Sequence, residues 1–239
     1  MTESARTPLP AGFPGVDAAT ETERVVPMVE WIRERYPDLL ISVDTWRAEV
    51  ADRACAVGAD LINDTWAGVD PDLVKVAAAR RAGIVCSHTG GMEVRTRPHR
   101  VAYGKKPTDV VAEVIAQVTR AGEAAEAQGV ARDSIVIDPT HDFGKNTHHG
   151  LLLLRHVKDL VNTGWPVLMA LSNKDFVGET LGVDLDERVE GTLAATALSA
   201  SSGARIFRVH QVAATRRVVD MVAAIAGTRP PARTVRGLA

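Results

Sequence analysis

Residues 39–64 read LLISVDTWRAEVADRACAVGADLIND. The stretch opens on a short apolar run, Leu39-Leu40-Ile41-Ser42-Val43, and stops it on an acid, Asp44. An amphipathic segment over residues 48–57 follows, and Gly58 closes it as a helix-terminating glycine does. A second apolar run, Leu61-Ile62, with a second polar tip, Asn63-Asp64, then restarts the cycle. Strands this short and apolar on both faces, separated by helices, cannot pair as hairpins. They predict a parallel sheet covered by helices, with the polar tips gathered at the carboxyl ends of the strands.

The unit recurs downstream. A helix is expected over residues 71–81 with Pro71 at its first turn, and Ile84-Val85-Cys86 leads to His88. A Gly- and Arg-containing loop at residues 89–107 precedes a long helix over residues 109–128, whose Val110, Val114, Val118 and Ala121 share one face. Ser134-Ile135-Val136-Ile137 leads to Asp138, a polar loop follows, and a helix is expected over residues 151–161. The run at residues 166–171 leads to Ser172, with a helix at residues 186–201. The run at residues 205–209 leads to His210, with a last helix over residues 213–226. Upstream, Thr20 and Glu23 read as a capping box, Val25, Val29 and Ile32 recur at helical spacing, Pro27 falls in the early turns, and Tyr36-Pro37 ends the helix. Pro8, Pro10, Gly12, Pro14 and Gly15 break all periodicity before it. The expected organisation is a flexible arm at residues 1–17, one barrel domain at 18–228 and a tail at 229–239.

Composition narrows the partners. A net charge of -2 supplies no basic field for a nucleic-acid backbone or an anionic membrane surface, which leaves a small molecule. The opening residues carry no apolar segment of signal-peptide or anchor type, so the cytoplasm is the expected compartment. Cys55 and Cys86 sit in apolar surroundings without CxxC spacing and read as reduced thiols. No Gly-x-Gly-x-x-Gly or Walker loop follows the early strands, which favours a barrel over an open nucleotide-binding sheet. Only about six strands are readable, where a closed barrel of this kind has eight. The tips Asp44, Asn63-Asp64, His88, Asp138, Ser172-Asn173-Lys174 and Arg208-Val209-His210 put acids, an amide and cations on one rim. That mixture suits a heterocycle with an anionic tail.

These blocks carry a resemblance. The run Ser42-Val43-Asp44-Thr45-Trp46-Arg47-Ala48-Glu49-Val50-Ala51 and the run Gly58-Ala59-Asp60-Leu61-Ile62-Asn63-Asp64 closely resemble the third and fourth strand blocks of the dihydropteroate synthase family. Ile137-Asp138-Pro139 with Phe143-Gly144-Lys145, then residues 172–178, residues 187–192 and Arg208-Val209-His210, resemble its later blocks in order. The resemblance implies a TIM-barrel-type (β/α)8 fold lacking the first one or two strands. It implies that Asp44, Asn63, Asp138 and Lys174 bind the pterin ring, that Arg208 and His210 hold its diphosphate, and that Phe143 and Ser172 belong to the second-substrate pocket. The implied transferase activity joins 6-hydroxymethyl-7,8-dihydropterin diphosphate to p-aminobenzoate in folate biosynthesis with Mg²⁺, and the implied assembly is a homodimer.

The sequence also departs from that pattern. The Asn-bearing first strand, which supplies the usual magnesium ligand, and the Ser-Thr-Arg-Pro loop after the second strand have no counterpart. Thr140-His141-Asp142 replaces a glycine-rich turn, and Asn173 stands where an Arg usually precedes the lysine. The set looks like the divergent second paralogue of the family. Two alternatives therefore stand beside the synthase: a catalytically inactive pterin-binding or interaction protein, and a methyltetrahydrofolate-type pterin-binding domain. The latter has no diphosphate for Arg208 to hold. His141, His148 and His149 read as solvated loop residues rather than a metal site, and Arg95, Arg97, Arg100, Lys105 and Lys106 as a solvated charged loop rather than an anion lid.

Overall fold

The computed structural model describes residues 16–91 and 101–236. The expected arm lies outside the described residues except for Val16 and Asp17, as do Arg95, Arg97 and Arg100 of the charged loop. The first helix, α1 (Ala18–Arg35), is capped by Asp17, whose carboxylate accepts the Thr20 N–H at 2.7 Å. The expected Thr20/Glu23 box is thus replaced by an acid three residues upstream, and Pro27 lies mid-helix rather than in the early turns. The strands are β1 (Ser42–Asp44), β2 (Leu61–Asp64), β3 (Gly83–Ser87), β4 (Ile135–Asp138), β5 (Leu168–Met169) and β6 (Ile206–Phe207). The helices after α1 are α2 (Ala48–Ala56), α3 (Leu73–Arg80), α4 (Asp109–Ala127), α5 (Thr147–Arg155), α6 (Val157–Val161), α7 (Asp175–Leu181), α8 (Val189–Ser201) and α9 (Val212–Ile225).

Pairing is parallel and follows chain order. β1 to β4 form one sheet and β5 pairs with β6. A bridge from Ile137 to Val167, with the Ile137 N–H donating to the Pro166 carbonyl at 2.9 Å, joins the two sets. Six parallel strands in sequential order with helices between them form the barrel-type wall, and among the described residues nothing pairs β6 with β1.

Strand alternation divides the apolar residues between two faces. Ile62, Ile84, Ile135 and Ile137 turn outward into the main core with Val110, Val114 and Val118 of α4 and Leu153 and Leu160 of α5 and α6. Val85, Val136, Leu168 and Ala170 form a separate cluster with Leu61 and Ile206 on the other face, the interior of the wall. Around the middle strands both faces are closed. At the ends they are not: α9 buries only Thr215, α1 buries only Val29, and Leu40 is 84 % exposed.

Several sequence boundaries shift for physical reasons. The run at residues 39–43 is strand only from Ser42. The preceding residues are pinned instead by Arg33, which donates to the carbonyls of Pro37 and Leu39, and by the Asp60 carboxylate, which accepts the Ile41 N–H. The helix expected over residues 151–161 begins at Thr147, capped by Asn146, and breaks at His156, whose imidazole lies 2.7 Å from the Asp159 carboxylate. The helix expected from residue 186 starts as a 3₁₀ turn and becomes regular at Val189. Helix α7 was not expected. It buries Phe176 and Val177, and Gly182, in the left-handed conformation, ends it. Cys86 is buried and Cys55 half-buried, and burial pushes their thiols up to about 12 and about 11.

Candidate functional site

The strand ends open into a cavity of about 480 Å³ lined by Asp44, Asn63, Asp138, Phe143, Ser172, Lys174, Arg208 and His210, together with Thr65, Thr140, Ala170, Asn173 and Leu185. All eight residues to which the resemblance assigns a role therefore meet in one place, whereas Asp64 and His88, also expected on the rim, do not line it.

Asp138 forms the floor. It ends β4 almost fully buried and accepts the Thr140 N–H at 2.7 Å. Burial pushes its carboxyl up, and the charges of Lys174, Lys145 and Arg208 pull it back. Asn63 is the penultimate residue of β2, and its Oδ1 is buried with no hydrogen-bond partner, an unusual state for a buried amide oxygen. Asp64 beside it is spent locally: its carboxylate accepts the N–H groups of Trp66 and Gly68 and fixes the following turn.

The turn after Asp138 is shaped by a residue outside the expected site. Lys145 is fully buried, and its ammonium donates to the carbonyls of His88 at 2.9 Å, Thr140 at 3.1 Å and Phe143 at 2.8 Å. Burial lowers its pKa well below the ordinary lysine value, opposed by Asp138 and Asp142. Gly144 has φ +63, and a Cβ there would run into the Thr89 carbonyl, so the turn passes against the segment after β3 only as glycine. Tyr103 Oη donates to the Gly144 carbonyl at 2.6 Å and fastens the same contact. The lysine was legible as part of Phe143-Gly144-Lys145, yet nothing in its spacing showed that it points inward.

Three non-glycine residues in this region adopt left-handed backbone: Thr140 (φ 52), Asp142 (φ 68) and Asn173 (φ 55). Each is a position where the sequence departs from the glycine turn or the expected arginine. Such backbone costs on the order of 1 kcal/mol or more per residue and persists when side-chain bonds compensate. Thr140 Oγ1 donates to the Asp138 carbonyl at 3.0 Å and accepts the His88 N–H at 3.1 Å. Asp142 accepts the Asp175 N–H at 2.7 Å, at the start of α7. Asn173 donates its N–H to Thr192 Oγ1, and its carbonyl accepts from Arg188, which also pairs with Asp175. Asn173 Oδ1 is buried without a partner.

Lys174 donates to the His141 carbonyl and places its ammonium 5.3 Å from the centre of the Phe143 ring, which in turn meets Trp66 edge-on. Opposite, Arg208 Nη2 lies 2.9 Å from Asp44 Oδ2, joining the end of β6 to the end of β1. His210 Nδ1 lies 2.9 Å from the Ser172 hydroxyl, which also accepts the His210 N–H and reaches Gln211 Oε1. Ser172 thus orients the imidazole.

The histidines of the loop do not form the solvated group expected from the sequence. His141 is completely buried, 3.2 Å from the Gly150 carbonyl and stacked obliquely on Phe176, while His148 is exposed and His149 half-buried against Tyr103. His88, one of the expected rim residues, is also fully buried. Neither of its ring nitrogens has a partner, and burial lowers its pKa to about 3. Among the described residues no three His, Cys, Asp or Glu side chains converge where they could hold a metal ion. The exposed carboxylate of the cavity, Asp44, is engaged by Arg208. The described residues therefore do not form a magnesium-binding set.

Residues 10–210 match the family described as pterin binding enzyme. Over 225 residues the chain is 70% identical to the inactive dihydropteroate synthase 2 of Mycobacterium leprae, covering 94% of this chain and 77% of that one. It is 36% identical over 216 residues to the dihydropteroate synthase of Bacillus subtilis, covering 89% and 71%. The Yersinia pestis dihydropteroate synthase solved with a sulfonamide drug superposes with a TM-score of 0.82 at 30% identity, covering 90% and 76%.

Proposed function

The chain belongs to the pterin-binding enzyme family, and from that premise we propose that its cavity binds a reduced pterin bearing a diphosphate without completing the transfer to p-aminobenzoate. The ring would lie over Asp138, Asn63 and Asp44. Two carboxylates and an amide oxygen match the N–H-rich pyrimidine edge of a pterin, and the orphaned Asn63 Oδ1 would gain the donor it lacks. Lys174 would meet the ring's oxo group, and Arg208 and His210 the diphosphate.

The chemistry this arrangement could support is dissociative. The diphosphate leaves from a carbon whose positive charge the electron-rich ring shares, and an amine then attacks that carbon. The chain's part would be to hold the ring, stabilise the departing charge through Arg208 and His210, and exclude water. No protein nucleophile is needed. Magnesium is proposed for the family reaction, but the described residues supply no ligand set for it.

The observation that carries the silent reading is the left-handed trio Thr140, Asp142 and Asn173 beside Phe143 and Lys174. The Thr140 and Asp142 side chains and the Asn173 backbone are committed to holding the protein's own loops, and Lys174 donates a hydrogen bond to the His141 carbonyl. The end of the cavity that would seat an aminobenzoate carboxylate then offers an asparagine where a second cation is expected. A working synthase is the second reading, favoured by the convergence of all eight expected residues on one cavity. A homodimer through the late helices is consistent with the exposed Leu198 of α8 and Met221 and Ile225 of α9. A cytoplasmic location is consistent with the lack, among the described residues, of any helix long and apolar enough to cross a membrane.

The test is titration with 6-hydroxymethyl-7,8-dihydropterin diphosphate, followed by p-aminobenzoate and an assay of pyrophosphate release. Binding without release is expected. Release at synthase-like rates would replace the silent reading by the working one, and no binding would remove both.

A further inference from the structure

Resting on the reading of the cavity as a pterin-diphosphate site, we propose that the Arg208–Asp44 ion pair sets its specificity, selecting a ligand that carries ring donors and a diphosphate together over a ligand that carries either alone. The pair spans the cavity from the end of β6 to the end of β1, with Arg208 Nη2 2.9 Å from Asp44 Oδ2. Both side chains line the cavity and are about half exposed, at 55% and 41%. The other contact of Asp44 is Thr65 Oγ1 at 3.4 Å, too long to fix its carboxylate. The group that would receive ring N–H donors and the group that would receive phosphate oxygens therefore satisfy each other.

The charges around the cavity follow the same pattern. Asp44 and Asp138 face Lys174 and Arg208, so the acids and cations balance before any ligand arrives. An anion alone enters a neutral site and must draw Arg208 away from Asp44, leaving a carboxylate without its partner. A bare pterin must compete with the guanidinium for Asp44 Oδ2 and leaves Arg208 uncompensated. A ligand with both parts replaces one ion pair by two sets of bonds and strands neither charge. The pair thus penalises each half-ligand and not the whole, which is discrimination by leaving the wrong ligand's partners unpaired.

By linkage, each half-ligand should tighten the other by the same factor, because whichever binds first has already broken the pair. An exposed ion pair sets the scale at roughly fivefold, equivalent to about 1 kcal/mol.

The experiment is calorimetric titration of the full chain with 6-hydroxymethyl-7,8-dihydropterin, with and without saturating inorganic pyrophosphate. The wild-type affinity for the bare pterin should rise about three- to fivefold with pyrophosphate. In Arg208→Ala the pterin should bind without pyrophosphate at least as tightly as it does to the wild type, and the pyrophosphate effect should vanish. Equal wild-type affinities in the two conditions, or weakening by pyrophosphate, would overturn the specificity role while leaving the pterin site intact. No pterin binding in either condition would overturn the underlying reading as well.

Discussion

Ile135 on β4 has no exposed surface, whereas Ile225 at the end of α9 is 75% exposed, and the two residues stand for two halves of one wall. From β2 to β4 each strand has neighbours on both sides, helices outside and a second apolar cluster inside. From β6 to β1 no strand pairing is described, β6 is only half-buried, and the flanking helices α9 and α1 each bury one residue. The polar residues follow the same division. Asp138 and Lys145 sit in the closed half, buried and held by several bonds, while Asp44 and Arg208 sit in the open half, exposed and holding each other. The closed half holds the floor of the candidate site, and the open half contributes its exposed ion pair.

The largest effect that separates the halves is expected at Lys145. Lys145→Met keeps the stem but leaves the carbonyls of His88, Thr140 and Phe143 without their donor, so it should cost about 3–5 kcal/mol of stability in urea unfolding. A loss below about 1 kcal/mol would show that the turn after Asp138 holds its own shape.

Next comes the isoleucine pair itself. Ile135→Ala should cost roughly 2–5 kcal/mol by leaving a cavity in the core. Ile225→Ala should change stability by less than about 0.5 kcal/mol. Comparable losses at both sites would mean that α9 is covered in solution.

The smallest effect is a pH dependence. His88 is held neutral by burial, with its folded pKa lowered to about 3 against the ordinary 6.5. Below pH 6.5 the unfolded chain therefore takes up a proton that the folded one refuses. Stability is fully present above that pH and falls on acidification toward 3, by up to about 1.4 kcal/mol per unit. The fully buried His141 shifts in the same direction. Denaturant unfolding at pH 7.5 and 5.5 should show a smaller drop for His88→Phe than for the wild type, and identical drops would place the proton elsewhere.

The closed half was the more legible in the sequence. Its strands are apolar on both faces, its helices have single apolar stripes, and each strand ends on a polar residue that lines or braces the cavity. The open half misled because Leu39 and Leu40 read as strand, yet with no described neighbour beyond β1 they project outward. Helix α7 was missed because seven residues between two polar loops give too short a period to read. Within the site, strand-end position gave a rim that also took in Asp64 and His88, and the family resemblance narrowed it to Asp44, Asn63, Asp138, Lys174, Arg208 and His210. What spacing could not show was direction: His88 reads as a rim residue, His141 as a solvated loop residue and Lys145 as part of a loop block, and all three side chains are buried. The replacement of the glycine turn by Thr140-His141-Asp142 was visible. Its consequence, left-handed backbone held by side-chain bonds, required the structure.

The strand-end cavity is proposed here as a pterin-diphosphate site. The most direct test is calorimetric titration of the wild-type chain with 6-hydroxymethyl-7,8-dihydropterin diphosphate, alongside Asp138→Asn. Saturable binding with one ligand per chain, lost or weakened at least tenfold in the variant, is the predicted result. Absence of binding to the wild type, or equal affinity in both proteins, would contradict it.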